Sequence, residues 1–130
     1  CDHGQCGAYT NISAGQRRDA KQTRAVSRSR WKPTNIKGLG TPDKLHPMQA
    51  AFIKHDGYQC GYCTPGQICS AVAVLGEIRD GIPSHASPSL TDKPQLIASE
   101  FQERMSGNIC RCGAYSNIID AIIEVAEASA

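Results

Sequence analysis

Four of the seven cysteines stand in two close pairs, Cys60-x2-Cys63 and Cys110-x-Cys112, and no other feature constrains this chain as strongly. Each pair brings two thiolates to one turn, and two such turns can converge on a soft metal centre. An odd number of cysteines would leave one thiol over in a pure disulfide framework. Structural zinc sites usually use C-x2-C pairs, and the second pair is tighter than that. The spacing therefore favours an iron–sulfur cluster, with structural zinc and free thiols as the alternatives.

Apolar residues at helical spacing flank both cysteine pairs. They predict four helices, from Pro47 to about Gly57, from Pro65 to Arg79 with Thr64 as the N-cap, from Gln95 to Met105, and from about Ser116 to Glu127. Each cysteine pair comes just before a helix N-terminus, whose free N–H groups and positive dipole end suit a negatively charged cluster. The pattern predicts a mainly α fold, with a four-helix [2Fe–2S]-binding bundle over residues 41–130. Cys69 falls inside the second helix, where a buried thiol is the favoured interpretation.

The first 40 residues differ from the rest in charge and in pattern. They hold eight basic residues against Asp2 and Asp19, and Thr10–Ser13 is their one candidate strand, followed by a predicted turn at Gly15–Arg17. A basic arm can bind nucleic acid, but Trp31 is the only large aromatic in the basic stretch, so base-stacking platforms are scarce. We therefore expect a solvated segment with no nucleic-acid partner, followed by a linker over residues 31–43.

Two long motifs contain the cysteine pairs. Gln59-Cys-Gly-Tyr-Cys-Thr-Pro-Gly-Gln67 and Gly107-Asn-Ile-Cys-Arg-Cys-Gly-Ala-Tyr115 resemble the signatures of the small iron–sulfur subunit of the molybdenum hydroxylases, the xanthine oxidase family. Ile68–Val72 and Gly81–Ser84 resemble the bacterial aldehyde oxidoreductase branch most closely.

The resemblance implies a ligand set and a large partner. Cys60, Cys63, Cys110 and Cys112 would ligate one [2Fe–2S] cluster, and Gln59 and Cys112 would lie against the molybdopterin of a large partner subunit. An FAD subunit is implied as a further partner. The chain itself would carry no catalytic residue, because the chemistry of substrate oxidation belongs to the partner's cofactor.

The N-terminal segment departs from the family pattern. A full-length member carries a second cluster in a β-grasp, ferredoxin-like domain, whose ligands follow a C-x4-C-x2-C pattern with a later fourth cysteine. Cys1 and Cys6 fit the first two positions, but Tyr9 stands at the third and Lys21 near the fourth. We therefore expect one cluster only, and a truncated, disordered remnant of the ferredoxin-like domain with its linker over residues 1–40.

The resemblance thus predicts an electron-transfer subunit of a molybdopterin-dependent aldehyde- or xanthine-type dehydrogenase. Two alternatives remain open, a stand-alone single-cluster redox module and a decayed copy that binds zinc or no metal. No apolar run approaches the roughly 18 residues of a membrane span. No signal peptide is visible, and a start at Cys1 without Met predicts a fragment or a processed product, from the cytoplasm or the periplasm.

Overall fold

The computed structural model describes residues 5–19 and 33–129. The fold is mainly α, with five helices and one small hairpin in these residues: β1 Thr10–Ser13, β2 Gln16–Asp19, α1 Ile36–Leu39, α2 Pro47–Lys54, α3 Thr64–Arg79, α4 Ala98–Met105 and α5 Tyr115–Ser129. In the part of the chain described, no helix is both long enough and apolar enough to cross a membrane.

The helices α3 and α5, which follow the two cysteine pairs, are held in place by α2 and α4. Each of these two shorter helices packs against both α3 and α5. Their buried side chains include Met48 and Phe52 from α2 and Phe101 from α4, all at most 1% exposed. Burial of one such side chain contributes about 1.5–3 kcal/mol. These contacts therefore fix the relative positions of α3 and α5, the two helices that follow the cysteine pairs.

The four predicted helices occur in the structure, but their bounds differ: α2 ends at Lys54 and not near Gly57, and α5 extends to Ser129. α3 begins one residue earlier than predicted, so Cys63 and not Thr64 occupies the N-cap position, with no side-chain hydrogen bond. α4 begins at Ala98 and not at Gln95, because Ile97 still has an extended backbone. The helical spacing of residues 95–105 predicts that Leu96 and Ile97 face inward, but they are 40% and 44% exposed.

A short helix interrupts the predicted linker. Asn35 accepts a hydrogen bond from the Lys37 N–H at 3.0 Å and caps α1, which lies within residues 31–43. An asparagine N-cap stabilises a helix start, so the predicted linker contains one turn of helix at Ile36–Leu39.

The hairpin confirms the predicted strand and corrects the expectation of disorder. β1 spans Thr10–Ser13 and pairs antiparallel with β2. The turn lies at Ala14 and Gly15, where φ is 50° and 76°, the positive values of a tight hairpin. Ile12 also exchanges backbone hydrogen bonds with Thr34 at 2.9 and 2.7 Å. A disordered remnant is thus wrong for residues 5–19, whereas Cys1, Lys21 and the rest of 20–32 lie outside the described residues.

A buried ionic network joins the hairpin to the helices. Arg17 makes two hydrogen bonds to the Glu77 carboxylate, at 2.9 and 3.1 Å, and a further one to the Arg104 carbonyl. Arg104 reaches Glu77 at 3.3 Å and Glu100 at 2.6 Å. Burial by itself raises the pKa of Glu100, but hydrogen bonds from Ser84, Arg104 and Ser87 outweigh it and leave the pKa lowered. The network pins β2 to α3 and α4.

Removal of Arg104 should lower the stability of the fold, because the buried Glu100 carboxylate loses its cationic partner. Arg104→Leu leaves Glu100, which is 1% exposed, without its partner, and we expect a loss of about 3–5 kcal/mol in the free energy of unfolding at pH 7. The wild-type contribution is present above the unfolded pKa of Glu100 and is lost as pH falls through its lowered folded pKa, so the gap between variant and wild type should narrow in acid. Urea unfolding at several pH values measures it.

The matched control is Lys54→Gln, which removes an exposed ion pair with Glu124. Such a pair contributes little, so the free energy of unfolding should hardly change. An Arg104→Leu protein as stable as this control would contradict the structural role of the network.

Candidate metal centre

Both cysteine loops end at helix N-termini. Cys60–Cys63 runs directly into α3, and Cys110–Cys112 is followed by Gly113 and Ala114 before α5 begins at Tyr115. Gly61 and Gly113 have φ of 75° and 76°, a left-handed conformation that strains other residues. These glycines turn the backbone so that both loops face the positive ends of their helices.

The four thiols meet in two pairs, and each pair takes one cysteine from each loop. The pKa of Cys60 responds to the neighbouring Cys112, and the pKa of Cys63 responds to the neighbouring Cys110. Among residues 5–19 and 33–129, no three side chains of His, Cys, Asp or Glu are placed to hold a single metal ion. One zinc ion needs its ligands around one centre, whereas a [2Fe–2S] core takes four thiolates distributed over two irons. Four cysteine thiols in two loops are the donor set that a [2Fe–2S] core takes.

Backbone N–H groups prepare two of these thiols for ionisation. The Tyr62 N–H, followed by the contact with Cys112, lowers the pKa of Cys60. Burial by itself raises the pKa of Cys110, but N–H donors such as Ala114, whose nitrogen lies 3.5 Å from the sulfur, reverse the effect and leave the pKa lowered. Since the thiolate is the metal ligand, these donors stabilise the form of the side chain that binds iron.

Cys63 and Cys69 have the opposite environment. Burial, reinforced by the contact with Cys110, raises the pKa of Cys63 to about 11. Burial also raises the pKa of Cys69 to about 11, and its side chain is 1% exposed inside α3. Cys63 would therefore have to lose its proton to ligate a metal, while Cys69 is buried in the core.

Thr64 provides a second test of fit. Its hydroxyl is buried beside Cys63 and, in the part of the chain described, is the buried side-chain polar atom that has no hydrogen-bond partner. An unsatisfied buried hydroxyl is costly. A sulfur-rich group bound by the neighbouring cysteine would bring an acceptor to this hydroxyl.

A buried hydrogen-bond network connects the second cysteine loop to α3. Asn108 is 5% exposed, accepts a hydrogen bond from Ser70 at 2.7 Å through its side chain, and accepts one from Gln67 at 2.9 Å through its carbonyl. The Gln67 amide also contacts the Cys63 thiol. Sequence analysis did not identify Asn108 or Gln67 as site residues, although both belong to the two long motifs.

The outer face of the site is open. Gln59, predicted to contact the pterin, is exposed beside the exposed Cys60. Tyr58, Tyr62, Ile109 and Tyr115 are 40–63% exposed around the two loops. The Tyr115 hydroxyl also accepts a hydrogen bond from the Cys110 N–H at 2.9 Å, so this side chain contributes both to the open surface and to the loop conformation.

Of the predicted outer-cluster residues, Cys6 and Tyr9 fall within the described residues. Cys6 is half-buried. Tyr9, at the third ligand position, is hydrogen-bonded to Tyr62. The other two positions, Cys1 and Lys21, lie outside the described residues.

The chain matches a known protein family and several curated proteins. The model of the [2Fe-2S] binding domain family matches residues 35–123. The chain is 64% identical over 126 residues to the aldehyde oxidoreductase iron-sulfur-binding subunit PaoA of Escherichia coli strain K12, covering 97% of this chain and 55% of that protein. It is 35% identical to the isoquinoline 1-oxidoreductase subunit alpha of Brevundimonas diminuta, covering all of this chain and 75% of the relative.

The fold also matches solved structures. The crystal structure of quinoline 2-oxidoreductase from Pseudomonas putida 86 aligns with a TM-score of 0.77 and 35% identity, over 99% of this chain and 72% of the matched chain. The aldehyde oxidoreductase from Desulfovibrio desulfuricans aligns with a TM-score of 0.79, over 99% of this chain and 13% of that chain.

These matches place the chain in a class, the iron–sulfur proteins that bind their cluster through cysteine thiolates. The chain belongs to the [2Fe–2S]-binding domain family, and its resemblance to the iron–sulfur subunits of the molybdenum hydroxylases is confirmed. It spans about half the length of the PaoA proteins that it matches.

Alkylation of the metal-free protein should follow the thiol environments. At pH 8, we expect iodoacetamide to modify Cys60 before Cys63 and Cys69, because Cys60 is exposed with a lowered pKa whereas the pKa of each of the other two is about 11. Mass spectrometry of peptides from a time course gives the order. Early modification of Cys69 would show that the assigned burial is wrong.

Proposed function

We propose that the chain is the electron-transfer iron–sulfur subunit of a molybdopterin-dependent aldehyde- or xanthine-type dehydrogenase. Cys60, Cys63, Cys110 and Cys112 would ligate one [2Fe–2S] cluster, which when bound supplies one-electron transfer. The observation that carries this proposal is that both cysteine loops end at helix N-termini, where the Ala114 N–H lies 3.5 Å from the Cys110 sulfur. The four longer helices would form the bundle that holds these loops.

The residues of the chain would control the charge and access of the site. The N–H groups of Tyr62 and Ala114 donate to cysteine sulfurs, which stabilises negative charge and raises the reduction potential of a bound cluster. Cys110, on the inner side, is 5% exposed, whereas Cys60 on the outer side is exposed. Electrons would therefore enter or leave on the side of Cys60 and Cys112.

The exposed rim around this side would bind the partner. Tyrosines are enriched at interfaces because they combine a large apolar area with a polar tip, and Tyr58 and Tyr62 lie here together with Ile109. We propose the large molybdopterin-binding subunit as the partner, with Gln59 and Cys112 against the pterin. An FAD subunit would be a further partner. The relatives named as subunits of oxidoreductases support an assembly of this kind.

We further propose that the chain binds one cluster and not two. Tyr9 stands at the third outer ligand position, and its hydroxyl is engaged by Tyr62. A phenol is also a poor substitute for the thiolate that such clusters require. The outer position therefore does not provide a four-thiolate site.

Iron analysis tests the ligand set and the stoichiometry. Anaerobically reconstituted protein should contain about two irons and two sulfides per chain and give the absorption and EPR spectra of a [2Fe–2S] cluster. Cys110→Ser should abolish these spectra because it removes a ligand, whereas the control Cys69→Ser, buried within α3, should retain them. Near four irons per chain, or loss of the spectra in Cys69→Ser, would contradict the proposal.

Association with the large subunit tests the docking surface. Ile109→Asp places a charge in the exposed rim and should weaken association, because charge is disfavoured at the centre of an interface, while the cluster spectra remain. Leu90→Asp is the control, since Leu90 is 80% exposed in the loop between α3 and α4. Size-exclusion chromatography after co-production with the large subunit from the same genome measures both. Equal association of the two variants would argue against this surface.

A further inference from the structure

We propose that the segment Cys6–Thr10, which a full-length family member would use to bind an outer cluster, here serves to hold the two inner cysteine loops together. We refer to this segment as the clamp. The inference rests on the proposed function, because it concerns the lifetime of the inner cluster. The observation behind it is that the clamp is hydrogen-bonded to the loop of Cys110 and also lies on the first turn of α3, directly after Cys63.

The first set of contacts joins the clamp to the loop of Cys110. The Cys6 carbonyl accepts a hydrogen bond from the Ile109 N–H at 2.8 Å, immediately before the ligand. The Asn108 side-chain amide donates to the Gly7 carbonyl at 3.1 Å and to the Thr10 hydroxyl at 3.4 Å. Consecutive residues of the cysteine loop are thus bonded to the clamp.

Asn108 relays this connection to the other loop. Its side-chain oxygen and its carbonyl are held by Ser70 and Gln67, which are both buried in α3. The Gln67 amide also contacts the Cys63 thiol. A continuous set of hydrogen bonds therefore runs from Gly7 through Asn108 and Gln67 to a thiol of the first cysteine pair.

The second set of contacts joins the clamp to the first turn of α3, which begins directly after Cys63. The side chains of Tyr9 and Tyr62 interact here, and the interaction raises the pKa of the Tyr62 hydroxyl. Behind it, a Cβ atom at Gly66 would lie 2.2 Å from the Gly7 carbonyl oxygen, so the clamp backbone rests on the first turn of α3 with no room for a side chain.

The arrangement of the thiols gives the clamp its functional consequence. Each thiol pair takes one cysteine from each loop, so a cluster bound there would be pulled apart if the loops separated. Contacts of one segment with the loop of Cys110 and with the first turn of α3 restrict that separation. Tyr9, which replaces an outer-cluster ligand, would contribute to this restriction through its hydroxyl.

The test compares variants that each remove one side of the clamp. Tyr9→Phe deletes the hydroxyl that faces Tyr62, and Asn108→Ala deletes the side-chain hydrogen bonds to Gly7, Thr10 and Ser70. The matched control is Tyr58→Phe, because Tyr58 precedes the same loop, is 40% exposed and makes no hydrogen bond through its side chain within the described structure. Reconstituted wild type and variants are treated with an excess of iron chelator, and the decay of the visible absorbance gives the rate of cluster loss.

We expect Tyr9→Phe and Asn108→Ala each to lose the cluster roughly two to ten times faster than wild type, the range that a net hydrogen bond produces. Tyr58→Phe should decay at the wild-type rate. Tyr62→Phe should behave like Tyr9→Phe, and the double variant should be no faster than either, since one bond is removed in all three. The thermal unfolding midpoint of metal-free Tyr9→Phe should fall by at most several degrees, as expected for one hydrogen bond, so that the variant is folded at the temperature at which cluster loss is measured.

Failure of the two proposals gives different results. A wild-type chain without a [2Fe–2S] spectrum would refute the proposed function, and the clamp with it. A wild type with a cluster whose Tyr9→Phe variant decays at the wild-type rate would refute the clamp alone, even if Asn108→Ala fails to fold. Additive effects of Tyr9→Phe and Tyr62→Phe would also refute it.

Discussion

The structure depends on holding two cysteine loops, distant in sequence, against one another so that their thiols pair. Four thiolates in one place repel, and the backbone must offer compensating positive charge. The loops do so by ending at the N-termini of α3 and α5, where N–H groups such as that of Ala114 point at the sulfur. α2 and α4 pack against both of these helices, so the apolar core determines where the two helix ends meet. The packing of the apolar core therefore also sets the geometry of the cysteine site.

Buried polar groups give the site a precision that apolar packing would not. Asn108, Ser70 and Gln67 lie at the base of the cysteine loops, and they are at most 5% exposed and hydrogen-bonded to one another. Such networks are costly when a member is missing, and they specify one arrangement when complete. The Arg17–Glu77–Arg104–Glu100 network does the same at the other side of the hairpin. The N-terminal segment is thus fastened at two places, at Gly7 by Asn108 and at Arg17 by Glu77.

These attachments explain how a segment that lacks two ligands of the family's outer cluster can still be part of the structure. The contacts of Gly7 with Asn108 and of the Cys6 carbonyl with Ile109 use the backbone, so they do not require the outer ligands. The position of Tyr9 is one where a ligand has been replaced by a residue with a different hydrogen-bond partner, Tyr62. The proposed loss of the outer cluster would be compatible with a structural role for this segment, because the two depend on different atoms.

The local features of the fold could be predicted from the amino-acid sequence alone. Cysteine spacing and helical periodicity predicted the two loops, the mainly α fold and the approximate ends of four helices, since these depend on residues close together in the chain. The start of α4 and the helix at Ile36–Leu39 were missed, because they depend on the backbone of single residues such as Ile97 and Asn35. Three features required the tertiary structure. They are the proximity of Cys60 to Cys112, the hydrogen bond from Asn108 to the N-terminal segment, and the packing of residues 5–19 on α3. Each of these is a contact between residues far apart in sequence, and no local pattern encodes the partner of a hydrogen bond that folding alone brings within reach.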